Sequence, residues 1–329
     1  MENEVKILFI TASPDAAASY YYWNALKTIE GIAFFKNGID PSMFDILLVM
    51  TYDHGLVRKI KEEYPDKKVG IIDPRSHAVM ESASLADFLI CDSIEMEDYW
   101  RRAEKPIFRY VEYPNISNIK KKHEDKDSLT IGYHGNSIHL ECMSENVTPA
   151  LEKLSKKHNI EMLIMCGQKK FTGEEKWVPK GIKISQCSWS MENYTRFLSK
   201  CDVGIAPNNL VHNDTQKSEN ATQNRYNYSP DDFSLRFKMP SNPGRAIIFG
   251  KLGIPCVSDF YPSAIQLFDG ENGYVAHNEA GWYWCLDQLL SSAQKRQEIS
   301  ENFQKTIEEK FDFEKQNKAL LKFFERLIK

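Results

Sequence analysis

Short runs of apolar residues recur along the whole chain and alternate with stretches of helical periodicity. Each run is four to eight residues long, which is the length of a buried strand. Continuous apolar runs are typical of parallel strands that crossover helices cover on both faces, so the pattern predicts an α/β protein. In the first part of the chain, strands are predicted at residues 5–12, 44–50, 68–73, 87–91 and 107–111.

Helical periodicity separates these strands. Helices are predicted at 20–32 and 56–64, and Gly31 and Pro65 provide their stops. Residues 113–128 then interrupt the pattern, because they are polar, highly charged and without core-like spacing. We therefore expect a linker between two domains in this segment.

The pattern restarts after the linker. Strands are predicted at 129–134, 160–166, 182–186, 202–207 and 254–259, and helices at 141–158, 190–200, 244–252 and, consecutively, from about 279 to 329. A repeated βαβ set predicts two Rossmann-like domains, whose ligand is expected in a cleft that the carboxyl ends of both sheets face. The expected divisions are a first domain at 1–116, a linker at 117–128, a second domain at 129–310 and a C-terminal helix at 311–329 that packs back on the first domain.

The charge balance narrows the range of partners. A chain of 329 residues with a formal net charge of −4 has no global positive field, so nucleic acid is not an expected partner. Any phosphate-binding site must therefore be formed by a local group of residues and not by the overall charge of the chain. The seven cysteines are scattered and include no CxxC pair, so we expect reduced core residues and no disulfide framework or metal site.

The sequence favours a cytoplasmic location. Acidic residues precede the first apolar run where a signal peptide would have basic ones, and no apolar stretch reaches the length of a membrane-spanning helix. The basic run at 120–123 leaves peripheral contact with the inner membrane face open. A solvated linker explains that run equally well.

A long polar loop at 208–242 precedes the predicted helix at 244–252, and long loops in compact domains are usually functional or mobile. Arg236, Lys238 and Arg245 bring cations to the start of that helix. Cations beside a helix N-terminus form an anion site, for which phosphate is the natural guest. The alternative is a solvated basic loop, capped by Ser241 or Asn242.

Residues 250–276 carry a family resemblance. A Gly253-Ile254-Pro255 turn ends the helix, the strand CVSD follows, and the turn Asp269-Gly270-Glu271-Asn272-Gly273 leads to another strand. This pattern resembles the C-terminal domain of the GT-B glycosyltransferases, particularly family 4 and its relatives. The resemblance spans about 129–312 and implies two Rossmann-like domains of GT-B architecture, with the nucleotide-sugar site in the second domain and the acceptor on the first.

In that family a cationic pair neutralises the donor diphosphate. Arg236 and Lys238 match it here, with Ser241, Asn242 or Arg245 assisting. Because the transition state leaves negative charge on the β-phosphate, fixed cations act on the leaving group itself, and no metal or other cofactor is required. The nearby pair Asp231 and Asp232 is more simply explained as a loop cap than as a magnesium site.

Further candidate donor-binding residues follow the predicted strands of the second domain. They are His134, Gly135, Asn136, Gly167, Cys187, Trp189, Met191 and Asn208. Small residues after a strand let backbone amides approach phosphate, and the resemblance places the nucleobase near Cys187–Met191 and the donor sugar near Asn208. His134 could equally have a structural role instead of binding the donor. Trp189 could equally lie in the core or between the domains.

Two residues of the first domain are candidates for acceptor chemistry. Asp73 and His77 come at the end of the predicted strand at 68–73. In an inverting enzyme such a group would deprotonate the acceptor hydroxyl, and in a retaining enzyme it would orient that hydroxyl. The alternative is a helix cap or a hydrogen-bond partner within the loop.

One departure from family 4 leaves the donor sugar and the stereochemistry open. The family has two glutamates separated by seven other residues, where this chain has Pro240 and Ile248. We expect a hexosyltransferase that moves a sugar from UDP or GDP to a hydroxyl of a glycan, a lipid-linked acceptor or a protein. The alternatives are a sugar-nucleotide 2-epimerase, a non-catalytic relative that binds sugar nucleotides, and a two-lobed ligand-binding protein, which should carry an export signal.

Overall fold

The computed structural model describes residues 5–51, 54–74, 79–167, 171–208 and 242–329. They form two compact units. The first unit contains the described residues up to Asn115, together with Asn242 and Asp312–Lys329, and the second contains those from Ile116 to Asn208 and Pro243–Phe311. No helix in the described ranges is long and apolar enough to cross a membrane.

The first unit is built on a sheet of six parallel strands in the order β2-β1-β3-β4-β5-β6. The strands are β1 (Ile7–Thr11), β2 (Ile32–Phe34), β3 (Ile46–Met50), β4 (Lys68–Ile72), β5 (Phe88–Cys91) and β6 (Ile107–Arg109). The helices are α1 (Ala17–Leu26), α2 (His54–Glu63), α3 (Val79–Leu85), α4 (Ile94–Trp100) and, from the chain end, α12 (Phe313–Ile328).

Helix α12 belongs to the core of the first unit. Phe323 and Phe324 pack edge-on against Phe88 of β5, with ring centres 5.7 and 5.6 Å apart. Asn317 accepts a hydrogen bond from the Tyr110 hydroxyl at 2.7 Å and donates one to the Ala25 carbonyl at 2.9 Å. The end of the chain is thus bound to the first unit by both apolar packing and buried hydrogen bonds.

The second unit has another sheet of six parallel strands, in the order β12-β11-β10-β7-β8-β9. The strands are β7 (Leu129–His134), β8 (Ile160–Cys166), β9 (Lys183–Ser188), β10 (Val203–Ala206), β11 (Cys256–Asp259) and β12 (Tyr274–Ala276). The helices are α5 (Ile138–Glu141), α6 (Val147–Leu154), α7 (Tyr194–Leu198), α8 (Gly244–Lys251), α9 (Pro262–Leu267), α10 (Glu279–Leu290) and α11 (Ala293–Lys310). Counted from β7, the strand order is that of a Rossmann sheet, which changes direction between β7 and β10.

Helix α8 packs directly on β7 and β10 because both strands have a glycine beneath it. A Cβ atom at Gly204 would lie 2.4 Å from the Phe249 ring, and one at Gly132 would lie 3.2 Å from it. The buried Phe249 ring therefore occupies the space that a side chain at Gly204 would need, and at Gly132 it shares that space with Cys201. This packing places α8 against β10 and β11, with the Phe249 ring reaching Gly132 of β7.

The segment predicted as a linker makes hydrogen bonds within the second unit. The Ile119 amide donates to the Lys251 carbonyl at 2.7 Å, and the Lys121 ammonium donates to two carbonyls, those of Ser199 and Cys201. The His123 ring lies 2.8 Å from the Gly253 carbonyl. Because a carbonyl oxygen only accepts, His123 donates from Nε2.

Two predicted helices differ from the observed ones. The helix predicted at 20–32 ends at Leu26, and its last residue begins β2 after Gly31 turns the chain with a φ of 78°. Of the helix predicted at 141–158, only Val147–Leu154 forms α6, which is divided from the short α5 that ends at Glu141. Pro149 explains the division, since a proline ring clashes with the carbonyl four residues earlier and is tolerated only in the first turn of a helix.

Replacing Gly204 by alanine tests the packing of α8. The added methyl group would meet the Phe249 ring, so we expect Gly204→Ala to lower the free energy of unfolding by roughly 1–3 kcal/mol in urea denaturation. Gly281→Ala in α10 is the matched control, because its Cβ would have only ordinary contacts and alanine favours helix. Equal stability of the two variants would contradict this packing.

A pH series tests the burial of His123. Burial lowers the pKa of His123 to about 4, although its hydrogen bond to Gly253 opposes the change. In the unfolded chain His123 takes up a proton near pH 6.5, whereas in the folded chain it does so only near pH 4. The free energy of unfolding therefore decreases as the pH falls from about 6.5 to about 4. In thermal unfolding between these pH values, His123→Gln should lose less stability than the wild type. Parallel pH curves for the two proteins would contradict this account.

Candidate functional site

The candidate site lies at the carboxyl ends of β7 and β10 in the second unit. These strands are neighbours in the sheet, and the strand order changes direction between them. In open α/β sheets, ligands bind outside the carboxyl ends of the strands at such a switch point. Gly135 follows β7 and Pro207 follows β10, so both loops border the site.

Arg245, in the first turn of α8, places its guanidinium group at this boundary. Its Nη1 atom donates to the Pro207 carbonyl at 2.9 Å. A Cβ atom at Gly135, whose φ is 137°, would lie 3.0 Å from Arg245 Cδ, so glycine allows the side chain to pass. The Nη2 atom is buried and has no hydrogen-bond partner among the described residues. A partly buried guanidinium with an unused donor is well suited to an anion, because hydrogen bonds between ionised groups are the strong ones.

His134 holds the backbone of Arg245. Its Nε2 atom donates to the Arg245 carbonyl at 3.0 Å, and its ring packs edge-on against Phe249 with ring centres 5.0 Å apart. Burial lowers the pKa of His134 to about 4, the hydrogen bond to Arg245 opposes this, and the charge of Arg245 adds to it. The imidazole is therefore neutral at neutral pH and positions α8, and it supplies no positive charge to the site.

The loop after β7 has a fixed backbone and an exposed side chain. The Tyr133 hydroxyl donates to the Asn136 carbonyl at 2.6 Å, and the Gly135 amide donates to the Met165 carbonyl at 3.1 Å. Burial raises the pKa of Tyr133, and the charge of Arg245 opposes that rise. Asn136 is exposed and accessible to a ligand.

The residue at the N-cap position of α8 is Pro243, whose side chain makes no capping hydrogen bond. Asn242, considered from the sequence as a donor-binding or capping residue, instead donates from Nδ2 to Asp92 at 3.0 Å and to Glu112 at 2.5 Å. All three side chains are buried in the first unit. The N-terminal turn of α8 brings the positive end of the helix dipole beside Arg245.

Asp259, to which the sequence analysis assigns no role, lies at the end of β11 beside this site. Its Oδ2 atom accepts a hydrogen bond from the amide of the buried Asn208 at 2.8 Å. Burial raises the pKa of Asp259 to about 7, and the Asn208 amide and the charge of Arg245 oppose the rise. The position was visible in the sequence as the last residue of the strand CVSD, but its neighbours were not.

Predicted residues at the ends of β8 and β9 lie on the same edge of the sheet. Trp189 is partly exposed, donates from its backbone to the Cys166 carbonyl at 3.1 Å and stacks on Tyr194 with ring centres 6.2 Å apart. Gly167 and Met191 are exposed. The Cys187 thiol contacts the Ile164 carbonyl within the sheet, at 3.8 Å. Trp189 and Met191 can therefore face a ligand more readily than Cys187.

The remaining predicted residues fall into two groups. Asp73 lies at the carboxyl end of β4 in the first unit, is buried, and has a φ of 59°, which is unusual for a residue other than glycine. Its amide donates to the Ile90 carbonyl at 3.0 Å. Arg236, Lys238, Ser241 and His77 lie outside the described residues.

The chain is similar to known proteins in structure. No protein-family model and no curated protein sequence matches the chain. The structure of HepE from Anabaena in complex with UDP and glucose has a TM-score of 0.65 at 12% identity, over 98% of this chain and 100% of that one. A glycosyltransferase from Rickettsia africae has a TM-score of 0.65 at 11% identity, over 99% of both chains. Sucrose-phosphate synthase from Thermosynechococcus elongatus has a TM-score of 0.64 at 10% identity, again over 99% of both chains.

At these identities the similarity establishes the fold. Two Rossmann-like α/β units, each with a six-stranded parallel sheet, are shared with two-domain GT-B glycosyltransferase structures over almost the full chain. The assignment to family 4 stays a prediction. The fold class predicted from the sequence is confirmed, and the chain has the fold of the GT-B glycosyltransferases.

Proposed function

We propose that the protein is a glycosyltransferase that moves a sugar from a nucleoside-diphosphate sugar to a hydroxyl group. The observation that carries this proposal is the guanidinium of Arg245, which lies at the switch point of the second sheet with its buried Nη2 atom unpaired among the described residues. An anion that reached it would also meet the positive end of the α8 helix dipole. A diphosphate has the negative charge and the acceptor oxygens that would satisfy the unpaired Nη2 donor of Arg245.

The arrangement suits the chemistry of glycosyl transfer. When the bond between the sugar and the β-phosphate breaks, negative charge grows on the phosphate oxygens. A cation and a helix dipole that are already in place stabilise that charge without having to reorganise. We therefore propose leaving-group stabilisation by Arg245, assisted by Arg236 and Lys238 as predicted from the sequence, with no metal ion required.

We propose that the nucleobase lies near Trp189. This residue follows β9, which is two strands from β7 in the sheet, or about 10 Å at the usual strand spacing. A nucleotide can span such a separation through its ribose, with the base on Trp189 and the diphosphate at Arg245. Uracil is the base that we propose, with support from the HepE structures that contain UDP and UDP-glucose.

We propose that the acceptor is a hydroxyl of a glycan, a lipid-linked molecule or a protein, and that Asp73 of the first unit takes part in binding it. The buried Asp73 carboxyl lies at the carboxyl end of its strand, where ligands of parallel sheets bind. Its left-handed backbone conformation costs energy, which is a common feature of functional positions. Peripheral contact with a membrane belongs to the same proposal.

The proposed function is tested by donor binding and donor turnover. Thermal unfolding should be measured with UDP-, GDP-, CMP- and dTDP-sugars, and UDP-sugars are expected to raise the melting temperature. Bound donors should then be incubated with the protein in deuterated water. Release of UDP without deuterium in the sugar supports a transferase, whereas deuterium in the sugar identifies an epimerase. If none of the four classes stabilises the protein, the donor site is wrong.

Substitution of Arg245 tests the residue at the centre of the proposal. Arg245→Ala removes a hydrogen bond to a charged group, so we expect the dissociation constant of UDP-glucose to rise roughly tenfold to a hundredfold in titration calorimetry. Arg245→Lys keeps the charge but loses the planar fork, and its affinity should lie between those of the wild type and the alanine variant.

The matched control is Lys305→Ala, which removes one exposed cation from α11 in the same unit. Its affinity should equal that of the wild type. Thermal unfolding without ligand shows whether Arg245→Ala still folds. An affinity of folded Arg245→Ala equal to that of Lys305→Ala would remove Arg245 from the donor site.

A further inference from the structure

One peptide group at the edge of the site is clamped between a cation and an anion. The Pro207 carbonyl accepts from Arg245 Nη1 at 2.9 Å, and the Asn208 amide donates to Asp259 Oδ2 at 2.8 Å. The carbonyl and the amide belong to the same planar trans peptide, so they point in opposite directions. Arg245 and Asp259 thereby fix the orientation of the chain as it leaves β10.

The clamp joins three separate parts of the second sheet. Arg245 comes from α8, the peptide follows β10, and Asp259 ends the neighbouring strand β11. The pairing of Ala206 with Ser258 in the two strands brings Asn208 and Asp259 together across 51 positions of sequence. Because Arg245 is also the proposed diphosphate ligand, any change in the charge of Asp259 acts on the donor site.

We propose that Asp259 is a positioning residue of the donor site: with Arg245 it clamps the Pro207–Asn208 peptide, and the charge of its carboxyl group sets the affinity for an anionic donor. This inference rests on the proposed function. A neutral Asp259 leaves the positive charge of Arg245 available to the diphosphate. An ionised Asp259 partly neutralises Arg245 and repels the donor.

The surroundings of Asp259 place this change of charge near neutral pH. Burial raises the pKa of Asp259 to about 7. The Asn208 amide, the charge of Arg245 on α8 and the indole of Trp282 on α10 oppose this rise. The Trp282 indole nitrogen lies near Asp259 without meeting the geometry of a hydrogen bond. The donor diphosphate would raise the pKa of Asp259 further, because a second negative charge disfavours ionisation. Donor binding should therefore be accompanied by proton uptake, and affinity should fall as the pH rises through about 7.

His277 is a histidine close to Asp259, and its contribution has to be measured separately. Its ring packs edge-on against the ring of Phe260, the residue after Asp259, with centres 5.5 Å apart. His134 does not confuse the measurement, since burial lowers its pKa to about 4. His277→Gln is therefore the matched control for a pH profile attributed to Asp259.

The experiment measures the affinity for UDP-glucose by titration calorimetry between about pH 6 and pH 8.5. UDP-glucose is the probe because both ends of its diphosphate are esterified, so the ligand itself does not titrate in this range. For the wild type and His277→Gln, the dissociation constant should rise about tenfold across the range. For Asp259→Asn, whose amide oxygen can still accept from Asn208, affinity should be independent of pH and close to the wild-type value at low pH.

A measurement on the unmodified protein supplements the variants. Titrations at pH 7 in two buffers of different ionisation enthalpy report the protons taken up on binding, and we expect uptake by the wild type. Binding of UDP-glucose with no proton uptake, or a pH profile retained in Asp259→Asn or lost in His277→Gln, would overturn the role of Asp259 and leave the proposed function standing. No binding at any pH would overturn both.

Discussion

The account depends on the hydrogen bond between Arg245 and the Pro207 carbonyl, because it fixes a guanidinium group at the switch point of the second sheet. Without that bond the long side chain would have many conformations, and an anion would have to order it on binding. With the bond in place, the cost of ordering the side chain is met during folding. The buried Nη2 atom is unpaired among the described residues, and it is the donor that we propose for the diphosphate.

The position of this guanidinium follows from packing deep in the sheet. Gly132 and Gly204 leave room for the Phe249 ring, so α8 lies close to the strands. His134 then binds the carbonyl of Arg245 and fixes the first turn of the same helix. The position of Arg245 thus depends on glycines in the strands, on an aromatic ring of the helix and on a neutral histidine at the end of a strand.

The pattern of apolar residues predicted much of the second unit. Strand β7 was predicted at 129–134 and is observed at Leu129–His134, and α8 was predicted to begin at 244, where it does begin. Strand β2 was missed because its three residues continue the periodicity of the preceding helix, and α6 was merged with α5 because periodicity alone ignores the clash made by Pro149.

The candidate site was less predictable, because its contacts depend on strand order and register. Asn242 stands two residues before α8, yet its amide binds Asp92 and Glu112 in the first unit. Asp259 carried no motif of its own, and its relation to Asn208 exists only because β10 and β11 are neighbours. The local sequence identifies where each strand ends, whereas the order of the strands in the sheet determines which strand ends are neighbours.

The most direct test of the central claim is a crystal structure of the protein with bound UDP-glucose. The account predicts a diphosphate oxygen within hydrogen-bond distance of Arg245 Nη2 and beside the first turn of α8, with the uracil ring near Trp189. Nucleotide bound elsewhere on the second unit, with Arg245 Nη2 still without a ligand, would contradict it.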